Sequence, residues 1–176
     1  IDGIVGVCSL AVNYANTPIE VIERENPIRI ERYGFRPDTG GAGKFRGGLG
    51  IIRDYRLTGV EEANLLIRSD RQKFQPYGLQ NGKPGAFAGN VMNPDTEETY
   101  VPPSKHMLTL KRGDVYRALL AGAGGWGDPK ERDPESVLDD VLNEKVSVAG
   151  AKDDYAVVID GSTWTVDVDA TKKLRS

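Results

Sequence analysis

The chain has 176 residues, 39% hydrophobic and 28% charged, which suits one packed domain with a small appendage and excludes a disordered polymer. A formal net charge of −3 with scattered basic residues argues against nucleic-acid and membrane-surface binding. One cysteine excludes an internal disulfide and, with no apolar run of membrane-spanning length, points to a cytoplasmic protein.

Twenty-one glycines and ten prolines predict many turns and short strands rather than long helices. The opening I-D-G-I-V-G starts with Ile1 and is not a signal peptide, so the chain is expected to have been processed, cut, or built as one piece of a longer protein. Residues 4–14, I-V-G-V-C-S-L-A-V-N-Y, read as a strand holding Cys8. No helix start or cation nearby in sequence would lower the thiol pKa, so Cys8 is expected to be structural rather than a nucleophile paired with His106.

Asn16-Thr17-Pro18 predicts a turn, with Pro18 biasing Thr17 to extended backbone. The following I-E-V-I-E-R (19–24) fits either a strand or a short helix. Residues 28–35 alternate apolar and charged side chains, the pattern of a half-buried strand, and pair naturally with 51–57. Between them lies R-P-D-T-G-G-A-G-K-F-R-G-G-L-G (36–50), six of whose fifteen residues are glycine. Glycine is favoured where φ is positive or backbones approach closely. A phosphate cradle needs Ser or Thr after Gly-Lys and a helix beyond; here Phe45 follows Gly43-Lys44, and a strand comes next. The stretch is read as architecture.

A-N-L-L-I-R-S-D (63–70) predicts another strand, with Asp70-Arg71 at its end as an ion pair or a polar corner. From 72 to 105 the chain is rich in loops, with Asn81-Gly82 as a hairpin signal and five prolines against a long helix. Ser104-Lys105 does not form a plausible dyad, because adjacent strand residues point to opposite faces. His106 is the single histidine and has no ligand cluster at metal-binding spacing.

M-L-T-L-K-R-G-D-V-Y-R-A-L-L-A (107–121) predicts two strands joined at Arg112-Gly113-Asp114. Gly122–Gly127 fits G-x-G-x-x-G, yet Asp128-Pro129 interrupts where a dinucleotide-binding helix should start. Asp133 predicts a cap for a helix over 134–143, with Val137, Leu138, Val141 and Leu142 on one face. Ser147 caps a second helix over 147–154; strands 155–160 and 164–168 and a last helical turn from Asp169 complete the tail. The expected architecture is mainly β, an antiparallel sandwich or distorted barrel (1–132) with a small α/β appendage (133–176). From the residues alone, no complete catalytic constellation emerges.

Several segments carry a resemblance. E-R-Y-G-F-R-P-D-T-G-G-A-G-K-F-R-G-G-L-G (31–50), S-D-R-Q-K-F-Q-P-Y-G-L (69–79), N-G-K-P-G (81–85), P-S-K (103–105), G-D-V (113–115), G-G-W-G-D-P (124–129) and Y-A-V-V-I (155–159) resemble the C-terminal part of the large subunit of the hydantoinase B/oxoprolinase family. The match runs from N-T-P-I-E (16–20) to about Ala170; it departs at Ala121-Gly122-Ala123, where the family usually has a proline and a fuller glycine run.

The resemblance implies an enzyme that spends ATP to open a lactam or cyclic imide, as 5-oxoprolinase and N-methylhydantoinase do, or to carboxylate a ketone. It implies that Asn16, Thr17 and Glu20, with Asp70 and Arg71, line the site of the intact subunit. It places a divalent-metal site, with His and Asp ligands, in an N-terminal part absent from this sequence, and ATP on a partner. No cofactor is therefore expected in this segment. Its implied partners are the remainder of the B-type subunit and an A-type ATP-binding subunit, in an oligomer. The segment would complete the fold, exclude water and contact partners; the alternative is a free-standing, non-catalytic binding or assembly module.

Overall fold

A computed structural model of the chain describes residues 1–6 and 16–176. Helix α1 (Ile19–Glu25) precedes six strands: β1 (Ile28–Phe35), β2 (Ile51–Leu57), β3 (Glu62–Arg68), β4 (Gly89–Met92), β5 (Lys105–Lys111) and β6 (Val115–Leu119). One antiparallel sheet has the order β1-β2-β6-β4, and β3 with β5 forms a separate antiparallel ribbon. Alternation along the ribbon puts Ala63, Leu65, Leu108 and Leu110 on its inner side, where they pack on Ile28, Leu57, Met92 and Tyr116 of the larger sheet. The expected mainly-β, antiparallel class is what is found; among the described residues the sheets do not close into a barrel.

The predicted pairing of 28–35 with 51–57 holds from Ile28↔Leu57 to Phe35↔Ile51, with one register shift between Ile30 and Arg32. Beside that irregularity the Ile30 N–H donates to the Glu23 carboxylate of α1 at 2.8 Å. The segment 19–24, which fits strand or helix by sequence, is thus a helix laid beside β1. The strand expected over 4–14, with Cys8, falls mainly on residues 7–15, outside the described residues. Both strands over 107–121 form, but the turn at Arg112–Asp114 hands the chain from the ribbon to the larger sheet. Gly113 has φ +96° there, a conformation open to glycine. Strand β4 is not foreseen from sequence, because four residues between Gly89 and Pro94 offer too short a pattern.

The glycine stretch is neither a sheet strand nor a phosphate loop. Residues 39–50 lie beside 76–86 and 120–127, and the three backbones bond directly to one another. The Gly41 N–H donates to the Ala123 carbonyl at 2.8 Å, Lys83 N–H to Ala42 at 2.7 Å, Gly125 N–H to Lys83 at 3.0 Å, and Ala123 N–H to Gly48 at 2.8 Å. None of the six glycines in 36–50 has a positive φ. Their common reason is close approach: a Cβ on Gly43 would stand 2.7 Å from both the N and O of Trp126, and one on Gly122 would overlap the Thr39 carbonyl. The G-x-G-x-x-G segment 122–127 lies within this layer, with Trp126 bridged to Phe45 and Leu79, and is followed by a short 3-10 turn, Pro129–Glu131, not by a cofactor-binding helix.

The tail packs on that layer. Helix α2 (Pro134–Leu142) begins with Pro134 at N1 and the Asp133 carboxylate accepting from the Glu135 N–H. In α3 (Val148–Tyr155), the Ser147 hydroxyl accepts from the Gly150 N–H at 2.9 Å. Val137, Leu138, Val141, Val146, Ala151, Tyr155, Val157 and Ile159 form a core that includes Ala42 of the glycine stretch. Leu142, expected on the buried face, is exposed. The strand expected over 155–160 is mostly replaced: Tyr155 completes α3, and only Ile159–Asp160 (β7) pairs with Thr165–Val166 (β8). The last helix, α4 (Val168–Arg175), is capped by Asp167 rather than begun at Asp169, so it starts earlier than expected.

A buried ionic cluster joins these parts. Arg46 and Arg132 both donate to Asp140 Oδ2, at 3.0 and 2.7 Å, and all three side chains are buried. Arg132 also grips both oxygens of Asp2, at 2.6 and 2.8 Å, and Arg46 N–H reaches Asp2 at 2.8 Å. Burial works to raise the Asp2 pKa, but the hydrogen bonds from Arg132 and Arg46 and their positive charge outweigh it and hold the carboxyl below its ordinary 3.8.

Gly122→Ala should cost about 3 kcal/mol or more in urea unfolding, because backbone cannot yield to the new methyl. Gly34→Ala, where a Cβ would meet nothing within 4 Å, should be neutral or stabilise by about 0.5–1 kcal/mol. For Asp2 the folded pKa lies below the unfolded value, so its contribution is complete above 3.8 and is lost as pH falls through the folded value. Thermal melts below pH 3.8 should therefore show the stability gap between wild type and Asp2→Asn closing; a pH-independent gap would contradict the assignment.

Candidate functional site

The side of the four-stranded sheet that carries the ribbon is apolar at one end and polar at the other. Along β2 the period of two sends Arg53, Tyr55 and Leu57 to this side, and the register Tyr33↔Arg53, Tyr55↔Tyr116, Asn90↔Ala118 and Met92↔Tyr116 brings Tyr33, Tyr116, Asn90 and Met92 to it as well. The ribbon covers Leu57 and Met92; beyond its reach a strip of polar and aromatic groups crosses all four strands.

The strip is continuous. The guanidinium carbon of Arg53 lies over the Tyr33 ring, 4.0 Å from its centre, and the group donates to Tyr55 Oη and Asn16 Oδ1, each at 3.2 Å. Asn16 Nδ2 donates in turn to Tyr33 Oη at 3.2 Å. Tyr55 stacks on Tyr116 with centroids 6.1 Å apart. The Tyr116 hydroxyl donates to Asn90 Oδ1 at 2.8 Å, and Asn90 Nδ2 donates to the Ser69 hydroxyl at 2.9 Å, which also accepts from Gln72 at 3.0 Å. Asn90 is fully buried, and among the described residues these groups satisfy its amide.

Electrostatically the strip has one sign. Burial disfavours charge on Arg53, yet the hydrogen bonds and negative pull of Tyr55 and Tyr33 outweigh it and raise its pKa. Burial, with Tyr55 beside it, pushes the Tyr116 phenol up, so the hydroxyl stays protonated as a donor. Among the described residues no carboxylate comes within 4.0 Å of Arg53, and residues 7–15 contain none.

Of the residues expected to line a site, Asn16 is part of the strip at one end. Asp70 and Arg71 directly follow Ser69 at the other end. Asp70 is exposed and stands 3.7 Å from Lys105 Nζ, and Arg71 has the uncommon φ of +63°. Thr17 and Glu20 are exposed at the start of α1. Among the described residues no hydrogen bond or ion pair ties the side chains of Thr17, Glu20, Asp70 or Arg71 to the strip. Sequence reasoning passes over Tyr33, Arg53, Tyr55, Tyr116, Asn90 and Ser69. Shared parity of Tyr33, Arg53 and Tyr55 on two predicted strands is the available signal, whereas Asn90 lies on the unforeseen β4.

His106 is exposed on β5, and Ser104 offers its backbone carbonyl to the Ser69 N–H at 2.8 Å. Cys8 lies outside the described residues. Among the described residues no three His, Cys, Asp or Glu side chains converge as a metal-ligand set.

Hydrogen-bonded coupling across the strip is measurable. Tyr116→Phe and Asn90→Ala, singly and together, should give a coupling energy of about 1 kcal/mol in urea unfolding. Strict additivity would show that the phenol and the amide do not act as a pair.

Residues 1–129 match the hydantoinase B/oxoprolinase family. The chain is 45% identical over 163 residues to an uncharacterised protein of Methanocaldococcus jannaschii, covering 91% of this chain and 28% of that protein. It is 32% identical over 176 residues to the B-type subunit of a putative D-/L-hydantoinase from a Pseudomonas species, covering 99% of this chain and 29% of the relative. In structure it resembles the ATP-dependent caprolactamase of Pseudomonas jessenii with a TM-score of 0.76 at 30% identity, over 90% of this chain and 28% of that one. The chain thus spans less than a third of the length of the curated relatives it matches. No helix among the described residues is long and apolar enough to cross a membrane. The chain belongs to the hydantoinase B/oxoprolinase family.

Proposed function

We propose that the chain serves as the C-terminal segment of a B-type subunit in an ATP-dependent enzyme that opens a lactam or cyclic imide ring. The observation that carries this reading is the alignment of almost the whole chain with the B-type subunit of a hydantoinase, joined by the likeness in fold and sequence to an ATP-dependent caprolactamase. A resonance-stabilised amide is a poor electrophile. Transfer of a phosphoryl group from ATP to its carbonyl oxygen activates the carbon: one water adds and the C–N bond opens with the proton passing to nitrogen, leaving an acyl phosphate, and a second water then releases phosphate. In this proposal ATP binds a partner A-type subunit, and the divalent metal sits in the remainder of the B-type subunit.

This segment's own part is to hold and to shield. The backbone-packed glycine layer provides a rigid wall, and the polar strip presents fixed donors at the open end of the sheet. In this proposal the segment contributes positioning.

A chimaera tests the proposal. This chain is placed in a caprolactamase-type β subunit instead of the matching segment and assembled with its ATP-binding partner. ATP-dependent opening of at least one lactam or hydantoin is expected, while the 176-residue chain alone should turn over none. Assembly of a folded chimaera without any ATP-coupled ring opening would count against the reading, as would ATP-independent hydrolysis by the chain alone.

A further inference from the structure

Among the described residues Arg53 is the half-buried arginine of the sheet that has no carboxylate partner. Arg56 pairs with Glu31 at 2.5 and 2.8 Å, Arg117 pairs with both oxygens of Asp54 at 2.9 Å, and Arg29 and Arg32 are exposed on β1. Among the described residues the partners of Arg53, on the strip side, are neutral: the amide oxygen of Asn16, the phenol oxygen of Tyr55 and the face of Tyr33. The two hydrogen bonds use two of the five guanidinium N–H donors and orient the group. Its rotamer freedom is already restricted and its charge is not cancelled. A planar, pre-oriented guanidinium with donors to spare matches a carboxylate or phosphate.

Location adds a second argument. Arg53 is half-buried, so a bound anion would be partly screened from water and the interaction strengthened relative to a surface contact. Asn16 connects it to the turn before α1. Tyr55, Tyr116, Asn90 and Ser69 connect it to the loop where Arg71 holds a strained left-handed conformation. One loop therefore meets Arg53 directly through Asn16, and a second joins the far end of the same strip through Ser69.

We infer that Arg53, held by Asn16, Tyr33 and Tyr55, binds the carboxylate or phosphate group of a small anionic ligand at the open end of the sheet. The inference rests on reading the strip as the ligand-facing part of the proposed subunit. Arg53 acts by binding and orienting the anion; no bond is made or broken by it.

The test uses the full 176-residue chain, with inorganic phosphate and acetate as probes and sodium chloride of equal ionic strength as the control. In proton–nitrogen NMR, either probe should shift the Arg53 Nε–H resonance saturably, while those of the exposed Arg29 and Arg32 should move no more than in chloride. Arg53→Gln should weaken binding roughly ten- to hundredfold, the loss expected for a charge-assisted hydrogen-bonded contact. Tyr33→Phe removes the Asn16 tether while keeping the ring, and should weaken it less. A shift with phosphate alone assigns a phosphate group, and one with both assigns the wider class. No shift at Arg53, or equal shifts at all exposed arginines, overturns the inference. Because the readout is binding, ring-opening activity in the chimaera without any Arg53 response would remove this inference and leave the proposed activity standing. Anion binding without activity would do the reverse.

Discussion

Direct contact between peptide backbones is the constraint on which this structure depends. Three stretches, 39–50, 76–86 and 120–127, lie so close that there is no room for side chains between them. Their N–H and C=O groups, taken out of water, find partners on the neighbouring stretch, and Lys83 and Ala86 each bond to both of the others. Glycine carries an entropic cost on folding, so such a layer holds only where its buried hydrogen bonds and flanking cores offset it. One of those cores, under α2 and α3, includes Ala42 of the layer itself; the sheet and ribbon form the other.

The ionic cluster of Arg46, Asp140, Arg132 and Asp2 explains how the tail is registered on this layer. A buried ion pair is seldom a net source of stability, because desolvation cancels much of the attraction. Its value here is directional. Asp140 on α2 accepts two guanidinium groups from different parts of the chain, and Arg132 passes the contact on to Asp2. An α2 rotated by a residue would leave buried Arg46 without its carboxylate and Arg132 with Asp2 alone, so apolar packing that tolerates several orientations is reduced to one.

With a rigid layer and a registered tail, the four-stranded sheet can carry a polar strip on one half of its ribbon side. Alternation decides which residues face that way, and the ribbon's limited length decides how many remain uncovered. Apolar Leu57 and Met92 lie under the ribbon, whereas Arg53 and Tyr33 lie beyond it. The same strand thus contributes to the core and to the site.

Much of this is legible from the residues, and the rest is not, for definite reasons. Local rules suffice for the pairing of β1 with β2, the caps of α2 and α3, and the absence of a helix after either glycine motif. They depend on near neighbours: alternation, a capping side chain, a proline at N1. Where they fail, distant segments decide. Leu142 is exposed because the tail core ends before it, Tyr155 belongs to a helix because its ring fills the core, and β4 exists because β6 offers it an edge. The composition calls for close backbone approach or positive φ at the glycines but cannot choose between them; tertiary packing chose approach. The sequence by itself determined the family, the β-rich class and the motif segments at both ends of the strip, since these are written in local order. Only the tertiary structure placed Arg53 among neutral partners, because a cation's neutralisation depends on which carboxylates folding brings within reach.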